Sequence, residues 1–294
     1  LGEGIALLPQ LVGNILIAAA STALVAVGFA VIYSTARFFH FAHGVVFASG
    51  AYFAYLFSVI LGLPLWVAGI IAVLLAGALG AVIDIGVYRQ LRKRGATPMV
   101  LLLASLGLYI ALQNVISMIF GDDTKSIRTG EVKEGMNILG ARITPIQLTI
   151  IITSVFLIAI LHLFTKKTKL GKLMRAVAND PNLASASGVN SNRILLWVFM
   201  IGSCLAGVAG LLVSLDIDMT PTMGMNPLMM AVVVVVIGGT SSFFGIASAS
   251  FLIESIKEIS ALLISSQWMY AISFFILLLF MYYRHNKTNI VNYY

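Results

Sequence analysis

Nine apolar runs punctuate the chain, at about 11–36, 44–62, 64–88, 98–120, 146–165, 194–215, 226–242, 246–264 and 267–284. A helix needs roughly 20 apolar residues to cross a hydrocarbon core, and these runs are near that length. None alternates in the roughly 10-residue segments of a membrane barrel. The pattern predicts an all-α integral membrane protein of about nine, between eight and ten, transmembrane helices in one domain over 1–294. The second and third runs meet at Gly62-Leu63-Pro64, a turn at the membrane surface. The first run is too long for a signal peptide's apolar core and has no basic residue ahead of it, so it reads as a retained helix. Numbering opens on Leu1, so the natural start is expected to precede it.

One polar insert in the second half, 166–193, breaks the pattern. Leu170, Leu173, Met174 and Val177 fall at i, i+3, i+4, i+7, one stripe of a short amphipathic helix. Asp180-Pro181 supplies an N-cap and a proline at the first helical position, and Gly188 a stop. The insert reads as two short helices broken at Asp180, a docking device for a partner outside the membrane.

Composition agrees with the membrane reading: 60% of residues are hydrophobic and 10% charged, with a mean hydropathy of +1.01. The net charge of +7 does not call for nucleic acid, because the basic residues sit in short loops between spans. One set of loops carries Arg37; Arg89, Arg92, Lys93 and Arg94; Lys166 through Arg193; then Arg284 and Lys287. The other carries Lys125, Arg128, Lys133 and Arg142 against Asp122, Asp123, Glu131 and Glu134. The positive-inside rule makes the first set cytoplasmic. The N-terminus is then outside, the C-terminus and the insert inside, and loop 121–144 is a solvated outer feature. The lone Cys204 is mid-span and reads as inert packing.

Two regions look like counterparts. Arg37-Phe38-Phe39-His40-Phe41-Ala42-His43-Gly44 precedes a small-residue helix; Asp216-Ile217-Asp218-Met219-Thr220-Pro221-Thr222-Met223-Gly224 precedes an apolar helix ending at Gly238-Gly239. The breaks fall on opposite sides of the predicted topology, the pattern of an inverted repeat whose interrupted segments mark a pathway. His40 and His43 lack the further ligands a metal site needs, and read as pathway lining or a polar break. Glu254, Lys257 and Glu258 share one helix face. They are either a self-neutralised interfacial cluster or part of the path. Asp84 is expected to serve the Arg89–Arg94 cluster, Gln113-Asn114 to hydrogen-bond between helices, and Ala76, Gly77, Gly80 and Ala81 to form a close-packing face. No phosphate-binding glycine-lysine loop is present; Gly238 to Gly245 lacks the lysine. An ATPase, if one drives the protein, is another chain.

Leu170-Gly171-Lys172-Leu173-Met174-Arg175-Ala176-Val177-Ala178-Asn179-Asp180-Pro181, with Ala184 and Ser187 to Arg193, resembles the coupling loop of ABC importer permeases of the branched-chain amino acid type. Phe41-Ala42-His43-Gly44 is similar to that family's Asn-Phe-Ala-His-Gly motif, with His40 where Asn is usual. Met99 to Gly107 and Leu112-Gln113-Asn114 resemble its fourth-helix signature, and Val236 to Gly239 with Glu254-Ser255 its C-terminal segment. The likeness runs from Asn14 to about Arg284 and is nearest to the first of two permease subunits.

The resemblance implies an inverted-repeat ABC importer permease fold in a prokaryotic inner membrane. It implies a second, homologous permease subunit, two cytoplasmic ATPases holding ATP and Mg, and an external solute-binding protein. This chain would bind no cofactor or metal itself, contact lipid, and catalyse no bond change. Leu173, Arg175, Asp180, Pro181, Leu183, Ala184 and Gly188 would couple to the ATPases, with Leu183 an apolar anchor and Ala184 a small residue allowing close approach. His40, Phe41, His43, Gly44, Gln113, Asp216, Asp218 and Glu254 are the path or gate candidates, Asp216 and Asp218 alternatively forming an external docking surface. The substrate is expected to be a branched-chain or related hydrophobic amino acid, with urea, short amides or other amino acids as alternatives. A passive small-solute channel would not explain the insert. A membrane enzyme would need converging nucleophiles or metal ligands.

Overall fold

The computed structural model describes residues 2–128, 135–240 and 242–291. Glu131, Lys133 and Glu134 lie outside the described residues, as does Ser241, and so do the side chains of Arg284 and Lys287. In chain order the helices are α1 (Gly2–Ala36), α2 (Ala42–Tyr55), α3 (Leu65–Ile83), α4 (Arg89–Lys93), α5 (Pro98–Phe120), α6 (Pro145–Lys167), α7 (Lys169–Asn179), α8 (Pro181–Ala186), α9 (Ser191–Asp216), α10 (Met225–Gly238), α11 (Phe243–Leu263) and α12 (Met269–Val291). A wider π turn at Leu56–Ile60 extends α2, and another at Asp84–Tyr88 joins α3 to α4. Seven helical stretches among the described residues are long and apolar enough to cross a membrane. α11 has the length, but its charged cluster lowers its hydropathy.

Local chemistry sets the ends. Thr97 caps α5 ahead of Pro98, and Thr144 caps α6 ahead of Pro145 in a reciprocal box with Gln147. Asn190 caps α9 and Ser242 caps α11. Each cap satisfies backbone N–H groups that have no partner within the helix.

α9 is the hub, packed against α1, α2 and α3. It is 26 residues long, and its small residues admit neighbouring backbones. A methyl on Gly50 of α2 would lie 2.5 Å from the Gly207 carbonyl oxygen, and one on Gly202 would lie 2.8 Å from that of Gly28. Gly77 and Gly80 of α3 face Cys204 and Ser203 of α9, so the predicted close-packing face and the packing role of Cys204 are both present. α6, and α12 as far as Tyr283, are largely exposed.

Three expectations are corrected. The all-α class holds, but loop 121–144 carries one small addition: β1 (Met136–Ile138) and β2 (Ala141–Ile143) form an antiparallel hairpin turning through Leu139 and Gly140, both left-handed. Ala141 and Ile143 pack on α1 beside Gly13, so part of loop 121–144 is docked rather than merely solvated. The run 226–242 yields a helix of only 14 residues, about 21 Å, too short to cross alone. The helix stops at Gly238, and Gly239 adopts a left-handed φ of +82°. Asn114 donates to the Ile110 carbonyl of its own helix at 2.7 Å, not to a neighbouring helix.

Candidate functional site

The chain between α1 and α2 turns back at Arg37, which adopts a left-handed φ of 59°. It then re-enters the body, where Phe38, His40 and His43 are buried. His43 Nε2 lies 3.3 Å from the Val25 carbonyl, and Val25 is eleven residues, about 16 Å, inside the end of α1. The segment 217–224 re-enters from the other end of α9. The backbone of Met219 pairs with Lys125 at 2.9 Å in both directions, and five residues later Gly224 reaches Gly44. The two interruptions therefore meet inside the bundle, at the N-termini of α2 and α10.

Around this crossing the first interruption is tightly held. Ser105 of α5 accepts from the Phe41 amide and donates to the Phe39 carbonyl, both at 3.1 Å. His40 and His43 are fully buried. His40 Nδ1 is 2.9 Å from the Tyr88 hydroxyl, and its ring is edge-on to Phe199 and Tyr88 with centroids 5.2 and 5.4 Å apart. Phe41 is half-buried and Gly44 buried beneath Tyr109. The histidines thus act in this conformation as aromatic packing and hydrogen-bonding groups. Among the described residues no cluster of His, Cys, Asp or Glu could hold a metal ion.

A second polar element, for which the sequence leaves an interfacial cluster and part of the path both open, lies deep in the bundle. Glu254 of α11 is 1% exposed, eleven residues into its helix. It accepts from the Thr22 hydroxyl at 2.6 Å and from the Lys257 ammonium at 2.7 Å. Lys257 Nζ also sits 5.3 Å over the Tyr270 ring. A cavity of about 100 Å³ adjoins this chain, lined by Ser21, Thr22, Asn226, Lys257 and Tyr270 among others. An unpaired charge at that depth costs roughly 2.5–3.5 kcal/mol on insertion scales, and pairing offsets part of it. The polar wall joins α1, α10, α11 and α12 and can hold water or a polar solute group.

The remaining path candidates stand apart from both. Gln113 is half-buried on α5, whereas Asn114 is exposed. Asp216 ends α9; Asp218 is exposed and pairs with Arg128 at 3.4 Å. Asp84 is fully buried and bonds Arg92 at 2.7 Å, the partnership expected of it.

The insert folds as two helices. Thr168 caps α7, and Asp180 caps α8 by accepting from the Asn182 and Leu183 amides at 2.8 and 3.0 Å. Gly188 closes the pair with φ +83°. The buried stripe of α7 is Gly171, Met174 and Val177. Leu173 is off it, 37% exposed, because a side chain at position 171 would meet the α6 backbone at Phe164 and Thr165, so only glycine brings that edge inward. Ala184 is buried at 6% exposure, while Leu183 is 66% exposed at the tip; Ala184 packs inward rather than toward a cleft. Two guanidinium groups anchor α7: Arg37 donates to the Ala178 carbonyl and Arg175 to the Thr165 carbonyl. Arg37 thus links the insert to the first interruption.

Thr22, Asn226, Tyr270, Tyr88 and Ser105 were not singled out from sequence. Their signal was faint: isolated hydroxyls and amides within apolar runs, whose partners are as many as 232 positions away.

Comparison with known proteins agrees with this architecture. The chain is 28% identical over 272 residues to the high-affinity branched-chain amino acid transport system permease protein LivH of Escherichia coli K12, covering 87% of both chains. It is 29% identical over 290 residues to the corresponding protein BraD of Pseudomonas aeruginosa, covering 94% of both. Among solved structures, the complex described as PsaBC from Streptococcus pneumoniae with Fab matches at a TM-score of 0.51 and 15% identity, over 95% of this chain and 94% of that one, a likeness of fold. The family described as branched-chain amino acid transport system permease component matches residues 11–281. The chain is a multi-pass membrane transport permease and belongs to that family.

Proposed function

We propose that this chain is one permease subunit of an ATP-driven importer for branched-chain or related hydrophobic amino acids. It works with a homologous permease subunit, two cytoplasmic ATPases that hold ATP and Mg, and an external solute-binding protein. The observation that carries this reading is the α7–α8 unit. Met174 and Val177 seat it on the body, Arg37 and Arg175 tie it down, and Leu183 is left bare at its tip. An apolar residue presented on a fixed support in a basic region is suited to a cleft on a soluble partner. The names of the relatives support the amino-acid substrate.

In this reading the basic face with α7 and α8 is cytoplasmic, the hairpin is outside, and the membrane is a prokaryotic inner membrane. Pulling on α7 moves Arg37, and with it the interruption that carries His40, Phe41, His43 and Gly44. That interruption meets the other at Gly224, so both re-entrant segments respond to one motion. Gln113, with the polar wall around Glu254, supplies the groups a solute would meet along α5 and inside the bundle. Asp216 and Asp218, at the hairpin end, serve the docking of the external protein. Tight binding along the path would oppose release, so selectivity rests with the binding protein.

The test is Leu183→Asp in the reconstituted importer. The variant should assemble its membrane part normally and lose solute-stimulated ATP hydrolysis and uptake together. Uptake that persists unchanged, without ATP, would support a passive channel instead.

A further inference from the structure

We propose that the cavity behind α7 is a binding site for an amphipathic anion: a carboxylate or phosphate head carried on an apolar body. The cavity measures about 510 Å³, within the range of small-molecule sites. It lies where the last turns of α1, the end of α6, α7 and the turn from α10 to α11 converge. Met174 and Phe243 supply apolar lining, Lys166 and Arg175 exposed cations, and Thr35 a buried hydroxyl. The lining holds two permanent cations and no carboxylate. A zwitterion would find no anionic counterpart for its ammonium there, whereas an anion with an apolar arm matches both parts of the wall. His162 also lines the cavity; its Nδ1 is buried without a hydrogen-bond partner, while its ring stands edge-on to Phe243 at 5.5 Å.

The position gives the site a consequence. An anion held by Lys166 and Arg175 would join α6 to α7 beside the contact Arg175 makes with Thr165. It would stiffen the support on which Leu183 is presented. That effect on coupling rests on the ATP-driven reading; binding itself does not.

Two sources share the chemistry, an anionic lipid headgroup with its acyl chain and a free organic acid, and the test separates them. In one arm the full chain is purified in mild detergent and retained phosphatidylglycerol is counted by native mass spectrometry. In the other it is placed in phosphatidylcholine nanodiscs and titrated with hexanoate. In at least one arm binding should occur and fall about ten-fold in Lys166→Gln/Arg175→Gln, as expected for losing charge-assisted bonds. Lys166→Gln alone, on an exposed side chain, should give part of that loss, and Arg94→Gln, on a separate basic stretch, none. Loss in the first arm identifies a lipid and loss in the second a soluble acid. No binding in either arm, or binding that all three variants leave unchanged, would overturn the site.

Discussion

Gly44 and Gly224 touch backbone to backbone: a methyl group on Gly44 would stand 2.8 Å from the Gly224 carbonyl oxygen. Sequence separates them by 180 positions and places them in breaks that enter from opposite ends of the bundle. Contact this close leaves no room for a side chain, and overpacking of this kind costs about 1–3 kcal/mol. Gly44→Ala and Gly224→Ala should each lower the thermal midpoint of the purified chain, and the pair should not recover it. Gly107→Ala, at a helical glycine with nothing within 4 Å, should be neutral or slightly stabilising.

The buried pair of Glu254 and Lys257 should behave asymmetrically. Replacing one partner leaves the other buried and uncompensated, at about 3–5 kcal/mol. Lys257→Met is therefore expected to destabilise more than the double change Glu254→Gln/Lys257→Met, in which Thr22 keeps a hydrogen-bond partner. A thermal double-mutant cycle measures the difference; equal losses would mean that the pair is solvated rather than buried.

Asp180→Ala should act locally. It removes the acceptor for the Asn182 and Leu183 amides, a cap of about 1 kcal/mol. Hydrogen exchange should quicken across Pro181–Ala186 and stay unchanged in α9.

Much of this was legible in the sequence, and the particular misses share a cause. The nine apolar runs, the two helices of the insert, the stop at Gly188 and the Asp84–arginine partnership all depend on near neighbours or on hydropathy alone. Leu173 belongs to the ideal helical stripe but is left 37% exposed, because glycine at position 171 brings that edge of α7 against α6. Run 226–242 looked like a full span because hydropathy does not register the stop at Gly239, where α10 ends with a φ of +82°. The Thr22–Glu254 bond and the Gly44–Gly224 crossing join distant segments, and only the packed fold brings them together. The hairpin was missed because its strands have three residues each and are stabilised by docking on α1.

Arg37→Gln offers a direct probe of the link between insert and interruption. It removes the donor to the Ala178 carbonyl from an exposed side chain, so folding should change little. In the assembled importer, uptake per ATP hydrolysed should fall, since α7 would move without drawing the first interruption with it. An unchanged ratio would show that the motion travels by another route.

The central claim is that this chain is moved by an ATPase to import a hydrophobic amino acid. The most direct measurement is ATP hydrolysis by the chain reconstituted in vesicles with its second permease subunit and ATPases, with and without solute-loaded binding protein. Leucine-loaded binding protein should stimulate hydrolysis several-fold and drive uptake into the compartment, and Leu183→Asp should abolish both. Failure of any ATPase to associate with the chain in mild detergent, or uptake that proceeds without ATP, would contradict the account.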